Sequence, residues 1–298
     1  DLHLSIRRQR QMCIRDRLTG TAALADAPKV VADIAPVHSL VSRVMDGIGK
    51  PNLIVPNETS PHDYRLRPAD AEALENAGLV FWMGEGLTPW MERALESLSG
   101  EATIVELLAL DETKTLPFRE GALFDAHDHS EHDDHDDHDD HDHDKEHDDH
   151  DDHDDHDHDK EHDDHGHDDH AGHDHGEFDP HAWLSTDNAK TWLNVIAAKL
   201  SSIDPTNAGG YFANASEAIV ELDALDKEVD EMLDTVRGGK FIVFHDAYQY
   251  FETVYEVPAS GAISLGDASD PGAARIAEIA KRIEGENIQC VLSEPQFN

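Results

Sequence analysis

One low-complexity tract limits what this chain can fold into. Residues 125–177 are 53 positions that hold 23 Asp, 4 Glu, 2 Lys and 18 His. The aromatic residues nearest to it are Phe124 and Phe178 at its borders, so the tract has almost nothing to bury in a core. We expect it to be disordered without metal, while the rest of the 298 residues build one large or two modest domains.

The charge of the chain excludes several classes of partner. The formal net charge is −42, and the tract alone carries −25 of it. Nucleic acid and anionic membrane surfaces attract Lys and Arg, so we expect neither as a partner. No run of about 18 apolar residues is present, so we expect no direct membrane insertion. Two cysteines, Cys13 and Cys290, are too few for a disulfide scaffold or a thiolate metal cluster.

The start of the chain resembles a damaged secretory signal. Residues 23–25 (ALA) fit the small-x-small rule for signal-peptidase cleavage, with Asp26 as the first mature residue. An Arg-rich stretch stands where the apolar part of a signal belongs. We interpret residues 1–25 as a scar plus a signal-peptide remnant, which predicts a periplasmic protein. A short cytosolic arm is the alternative.

Strand-like and helix-like segments alternate along the remaining sequence. Strands are predicted at 29–35, 52–55, 79–82, 240–244 and 288–292. Helices are predicted at 38–48, 68–74, 89–98, 187–203 and 270–284. This alternation favours an α/β fold, with parallel-type sheets flanked by helices.

A long helix is predicted between the two halves, at residues 205–236. Its apolar residues recur mostly every three or four positions, which predicts one apolar face on a rigid spacer: Tyr211, Phe212, Ala215, Ile219, Leu222, Leu225, Val229, Met232, Leu233 and Val236. We therefore predict a first lobe at 26–204 that contains the tract, a linker helix at 205–237, and the start of a second lobe at 238–298. We expect that second lobe to be truncated.

The tract itself predicts weak metal binding. Its sequence repeats internally, since residues 141–147 recur at 156–162. Neutral imidazole binds Zn²⁺, Cu²⁺ and Ni²⁺, and a flexible chain loses entropy around each ion, so low-affinity sites are expected. The candidate ligands are His127, His129, His132, His135, His138, His141, His143, His147, His150, His153, His156, His158, His162, His165, His167, His170, His173 and His175. The alternative is a solvated acidic linker with incidental histidines.

One part of the tract imitates an enzyme motif. Residues 165–170 (HGHDDH) match the H-x-H-x-D-H pattern of dinuclear metallohydrolases, which gives His165, His167 and His170 as ligands of a hydrolase. That motif needs a buried strand before it to hold the ligands in place, and none precedes it here. We therefore predict that the protein is not an enzyme.

Three histidines outside the tract share a setting. His62 lies in a predicted loop, His181 directly before a helix, and His245 directly after the strand at 240–244. Each has a nearby Asp that could orient its imidazole, and ligands of open α/β sheets bind beyond the carboxyl ends of strands. We predict that these three share a site. His38 is expected to pack on a helix face, and Trp82, Trp90 and Trp183 to be core or lobe-face residues.

Four segments in this order resemble a known family: residues 61–68 (PHDYRLRP), 179–184 (DPHAWL), 244–251 (FHDAYQYF) and 294–297 (EPQF). They are similar to the ZnuA-type zinc-binding components of periplasmic ABC uptake systems, within the metal-binding solute-receptor family. The resemblance implies two α/β lobes bridged by a long helix, with one Zn²⁺ held between them by His62, His181 and His245. It also implies a monomer whose partners are an ABC permease and its ATPase.

The resemblance also leaves questions open. Some relatives have a Glu before the first ligand, where this chain has Pro61; Glu58 is a weak substitute, while Asp63 and Asp246 are expected to be weak or orienting groups. The family's fourth ligand is a carboxylate beyond this chain, so the fourth position here is open. Cys290 is either a buried free thiol or one half of a disulfide whose partner this chain lacks. A metal storage protein built on the tract, or a receptor for manganese or another divalent metal, is the alternative function.

Overall fold

The computed structural model describes residues 27–119, 124, 178–264, 271–288 and 290–295. The signal remnant, the tract at 125–177 with its histidines, and Cys13 therefore lie outside the described residues. The described strands are β1 (Val30–Ala32), β2 (Asn52–Leu53), β3 (Leu79–Trp82), β4 (Thr103–Glu106), β5 (Phe241–His245), β6 (Ala262–Ser264) and β7 (Cys290–Leu292). The described α-helices are α1 (Ala35–Val44), α2 (Pro68–Glu75), α3 (Pro89–Leu98), α4 (Thr186–Ile203), α5 (Ala208–Leu233), α6 (Gln249–Tyr255) and α7 (Ala273–Glu286).

The first lobe is built on a parallel sheet with the strand order β2-β1-β3-β4. Val31 pairs with Asn52 on one side and with Val80 on the other. Every residue of β1 and β3 is buried, which is typical of parallel strands covered on both faces. Helix α1 contacts β1 and packs against α4 and α5. The predicted α/β fold is confirmed.

The second lobe has a smaller parallel sheet with the strand order β6-β5-β7. Ile242, Ile279 and Ile288 form a small buried cluster there, while all three residues of β7 are exposed. The expectation of a buried thiol in this strand is wrong, because Cys290 is free and exposed. The prediction that this lobe is truncated, and the domain bounds given above, remain predictions.

The apolar stripe of the long helix is buried only in its first part. A short 3₁₀ turn at Pro205–Asn207 precedes α5, and the buried residues of α5 are Tyr211, Ala215 and Ala218. Beyond this point part of the predicted apolar face is exposed, since Leu225 and Met232 are 44% and 59% exposed. Helix α5 packs on α1 and α4, and its contact with α4 extends to Asp223 and Asp226, which both pair with Lys190.

The C-terminal half of α5 is held by polar contacts. Asp226 accepts hydrogen bonds from Lys190 on α4 (2.6 Å) and from the Tyr255 hydroxyl on α6 (2.7 Å). One carboxylate therefore joins helices of both lobes.

Several element bounds differ from the predictions. Helix α1 starts three residues early because Pro36 occupies its first turn, where the missing N–H costs no hydrogen bond. Strand β5 includes His245, which pairs with Ser264, so this histidine ends the strand instead of following it. Strands β4 and β6 and helix α6 were not predicted from the sequence. Among the described residues, no helix is long and apolar enough to cross a membrane.

A buried carboxyl group stands at the carboxyl end of β1. Asp33 is fully buried, and its two oxygens accept hydrogen bonds from the backbone N–H groups of Ile34 and Met83, both at 2.8 Å. Burial raises the pKa of Asp33 to about 7, because desolvation of the charged form outweighs the stabilising hydrogen bonds.

This raised pKa predicts a pH-dependent stability. Between pH 4 and pH 7 the folded protein keeps a proton on Asp33 that the unfolded chain has released, so the contribution of Asp33 to the free energy of unfolding falls as the pH rises. The fall is on the order of 4 kcal/mol, at about 1.4 kcal/mol for each pKa unit. Urea unfolding of the wild type and of Asp33→Asn at several pH values measures it. A difference between the two proteins that stays constant with pH would contradict the raised pKa.

Candidate metal centre

The structure brings the three predicted histidines together where the two lobes meet. The ring centroids of His62 and His181 are 5.7 Å apart. Those of His181 and His245 are 5.2 Å apart. His62 follows β2 and His181 precedes α4, both in the first lobe, while His245 ends the central strand of the second sheet. A site of these three rings therefore spans the two lobes.

The central feature is a pair of imidazole nitrogens that face each other. Nε2 of His245 lies 3.4 Å from Nε2 of His181, and the two residues are 4% and 6% exposed. Two ligand nitrogens at about 2.0–2.1 Å from one tetrahedral zinc ion stand about 3.4 Å apart. The pair therefore has the separation of two ligands of one ion.

Carboxylates stand behind both rings. Nδ1 of His181 is 2.7 Å from Oδ1 of Asp179, and Nδ1 of His245 is 3.1 Å from Oε1 of Glu294. We assign the ring protons to Nδ1 because each carboxylate is an acceptor. Both Nε2 atoms then carry a lone pair on the side where the two rings approach each other. Two lone pairs at this distance repel each other, and a cation between them removes that repulsion.

Asp179 is itself held firmly. It is 2% exposed, its Oδ1 also accepts from the backbone N–H of His181 (2.9 Å), and its own N–H donates to Leu116 O (2.8 Å). A further hydrogen bond joins the Tyr250 hydroxyl to the Asp179 carbonyl (2.8 Å). The orientation of the His181 ring is thus set by groups that have little freedom to move.

His62 is carried by an anchored loop. The indole N–H of Trp90 donates to the carbonyl of Pro61 (2.7 Å), and the Tyr64 ring lies 5.5 Å from that of Trp90. The Tyr64 hydroxyl donates to Asp70 Oδ2 (2.7 Å). Within the described part of the chain, no group of three or more His, Cys, Asp or Glu is already arranged as a bound metal needs. The His62 ring is half-buried.

The three predicted accessory carboxylates lie in different settings. Asp63 and Glu58 are both exposed, and Glu58 has a left-handed φ of 64°. The expectation that Asp246 orients His245 is wrong. Its carboxylate instead binds the Arg119 guanidinium, with Nε at 3.0 and 3.2 Å from its two oxygens. Burial raises the pKa of Asp246, although the hydrogen bonds from Arg119 act against this shift.

The acceptor that orients His245 is Glu294, a role that the sequence analysis missed. Glu294 lies 49 positions further along the chain, and no local pattern predicts such a contact. It contacts Nδ1, on the side of the ring away from Nε2, so its contact orients the ring. Burial, together with the nearby Glu294 carboxylate, raises the pKa of Tyr248, so this hydroxyl keeps its proton.

The structure also shows where His38, Trp82, Trp90 and Trp183 lie. His38 lies on α1 with Nε2 3.2 Å from the carbonyl of Pro51 and Nδ1 3.5 Å from Ser42 Oγ. Trp82 is buried, as predicted for a core residue. Trp183 is only half-buried and its ring lies 5.1 Å from that of His181. Trp90 and Trp183 are therefore lobe-face residues beside the histidines.

Residues 30–298 match the family described as "ZnuA: Zinc-uptake complex component A periplasmic". This chain belongs to that family. The resemblance of the four sequence segments is confirmed.

Relatives that align with most of the chain support this membership. The chain is 45% identical over 278 residues to the "High-affinity zinc uptake system protein ZnuA" of Brucella abortus (strain 2308), covering 93% of this chain and 80% of the relative. The protein of the same description from Paracoccus denitrificans (strain Pd 1222) is 46% identical over 278 residues, covering 92% and 79%. A solved structure described as "Crystal structure of ZnuA" superposes on this chain with a TM-score of 0.65 at 20% identity. The superposition covers 91% of this chain and 84% of the other, and it supports the fold.

The carboxylate behind His181 predicts a tautomer. In long-range ¹H–¹⁵N NMR spectra of the metal-free protein, we expect the neutral His181 ring to carry its proton on Nδ1, next to Asp179. Asp179→Ala removes the acceptor and should move the population toward the Nε2–H form. His38, whose partners are Pro51 and Ser42, is the internal control and should not change. A wild-type His181 with its proton on Nε2 would contradict this assignment.

Proposed function

We propose that this member of the ZnuA family is a periplasmic receptor that binds Zn²⁺ with His62, His181 and His245 and delivers it to an ABC permease and its ATPase. The observation that carries the proposal is the His181–His245 pair. Its two Nε2 atoms lie 3.4 Å apart, and a carboxylate stands behind each ring at Nδ1. The receptor acts as a monomer.

The chemistry of the donor set favours zinc. Imidazole is a borderline ligand that suits Zn²⁺, whereas Mn²⁺ and Mg²⁺ favour carboxylate, carbonyl and water oxygens. The nearby carboxylates of Asp179 and Glu294 are turned toward Nδ1 atoms. Carboxylates in that position raise the basicity of a ligating imidazole. The names of the relatives as zinc uptake proteins support the same ion.

The position of the site between the lobes provides a way to release the ion. His62 and His181 belong to the first lobe, and His245 belongs to the second. A small separation of the lobes therefore removes one ligand of three without unfolding either half. A transport receptor needs this property, because it must bind tightly in the periplasm and still hand its cargo to the permease.

The His/Asp tract has a supporting role in this proposal, as a low-affinity collector or sensor of zinc. It joins the chain close to the site, since Pro117 and Phe178 on either side of it pair as an antiparallel bridge. The alternative is a storage protein in which the tract is the main function. The two functions differ in which residues hold the tightly bound zinc.

Removal of single ligands tests the site. We expect His62→Ala, His181→Ala and His245→Ala each to weaken the tightest zinc site by about 100-fold or more, because loss of a ligand costs more than the 10–100-fold of an orienting partner. His38→Ala is the matched control and should bind as the wild type does. Calorimetry on chelator-stripped protein, with Mn²⁺ as a competing ion, measures both affinity and preference. Unchanged tight binding in all three variants would reject the site.

Deletion of residues 125–177 separates the receptor from the storage protein. We expect one tight site to remain while the weak sites disappear from the binding isotherm, because the three proposed ligands lie outside the tract. If the tight site is lost with the tract, the tract itself holds the ion and the storage function is favoured.

A further inference from the structure

A buried ion-pair cluster joins the lobes next to the candidate metal centre. Arg119 donates to Asp246 through Nε (3.0 and 3.2 Å) and through Nη2, and to Glu252 through Nη1 (2.6 Å) and Nη2 (3.1 Å). The side chains of Arg119, Asp246 and Glu252 are 15%, 7% and 5% exposed. Planar guanidinium donors matched to two carboxylates give this contact a defined geometry.

Arg119 lies on the first lobe, and its two carboxylate partners lie on the second. Asp246 directly follows His245, and its N–H donates to Ser264 O (3.1 Å) at the end of the second sheet. Glu252 lies on α6 and also accepts from the backbone N–H of Ala259 (3.0 Å). Arg119 comes from the first-lobe segment that follows Pro117.

That segment also contacts the residue that orients His181. The carbonyl of Leu116 accepts from the N–H of Asp179 (2.8 Å), and the N–H of Leu116 donates to the Tyr250 hydroxyl (2.9 Å). The same hydroxyl donates to the carbonyl of Asp179 (2.8 Å). Residues 116–119 therefore touch the neighbours of both facing histidines within one short stretch.

We propose that Arg119 is a positioning residue for the zinc site: by holding Asp246 against the first lobe it keeps the His245 ring at ligand distance from His181, and it thereby sets how fast zinc leaves. The proposal rests on the function proposed above. In this proposal Arg119 does not itself bind the ion. A weakened cluster lets the second lobe carry His245 away, so the effect falls on dissociation more than on association.

The first test is the zinc dissociation rate of Arg119→Lys. Lysine keeps the positive charge but cannot reproduce the planar fork. We expect dissociation to be about 10–100-fold faster, the range for the loss of a group that orients a ligand, with association changed by less than about threefold. Lys114→Met is the matched control, because Lys114 makes an exposed ion pair with Asp187 (2.8 Å; 71% and 51% exposed). The control should release zinc at the wild-type rate.

A double-mutant cycle separates positioning from general stability. If Arg119 acts through His245, Arg119→Lys should change zinc affinity by less than about twofold in a His245→Ala background. An equal loss of affinity in both backgrounds would overturn the proposal. If His245→Ala alone leaves the affinity unchanged, the proposed function fails instead, so the two failures are distinct.

A second variant covers the case in which Arg119→Lys does not fold. Arg119→Met combined with Asp246→Asn and Glu252→Gln removes all three charges and leaves none unpaired in the interior. Thermal unfolding checks that it is folded. The same acceleration of zinc release is expected, and wild-type release from this folded variant would contradict the proposal.

Discussion

The structure around the candidate site depends on one interaction, the approach of two imidazole nitrogens. The Nε2 atoms of His181 and His245 are 3.4 Å apart in a nearly water-free position. Neutral rings with their protons on Nδ1 repel each other at this separation. Two carboxylates hold the rings in this position: Asp179 contacts Nδ1 of His181, and Glu294 contacts Nδ1 of His245. In the proposed function, a divalent cation bound by both nitrogens would replace this repulsion with two bonds.

Helix α6 links the neighbourhood of His245 to the first lobe. It follows His245 after three residues, yet its Tyr250 is buried in the hydrophobic core of the first lobe. Tyr255 near its end reaches Asp226 on α5, and Glu252 reaches Arg119. Most of these contacts are polar, and polar contacts can be exchanged for water at a smaller cost than a hydrophobic interface. Such an interface suits a receptor that must hold its lobes together and later let them separate.

Some features of the site could be predicted and others could not. His62, His181 and His245 were predicted as ligands from their loop and strand-end settings and from the family resemblance, and their rings do lie close together. Asp179 lies only two positions from its histidine. The role expected of Asp246 was wrong because Arg119, 127 positions away, binds that carboxylate instead. Glu294 replaces it at a separation of 49 positions. Neighbours in sequence compete with distant groups for the same hydrogen bond, and only packing decides which of them wins.

The sequence by itself determined the local structure and the type of chemistry. Apolar runs and turn residues predicted most strands and helices, because these depend on neighbours a few positions apart, and imidazoles in loops predicted a metal ligand set. Only the tertiary structure decided which carboxylate meets which ring, where α5 leaves the core, and that α6 joins the lobes. These outcomes depend on contacts between residues far apart in the chain, and their free energies are set by burial and geometry that no local pattern records.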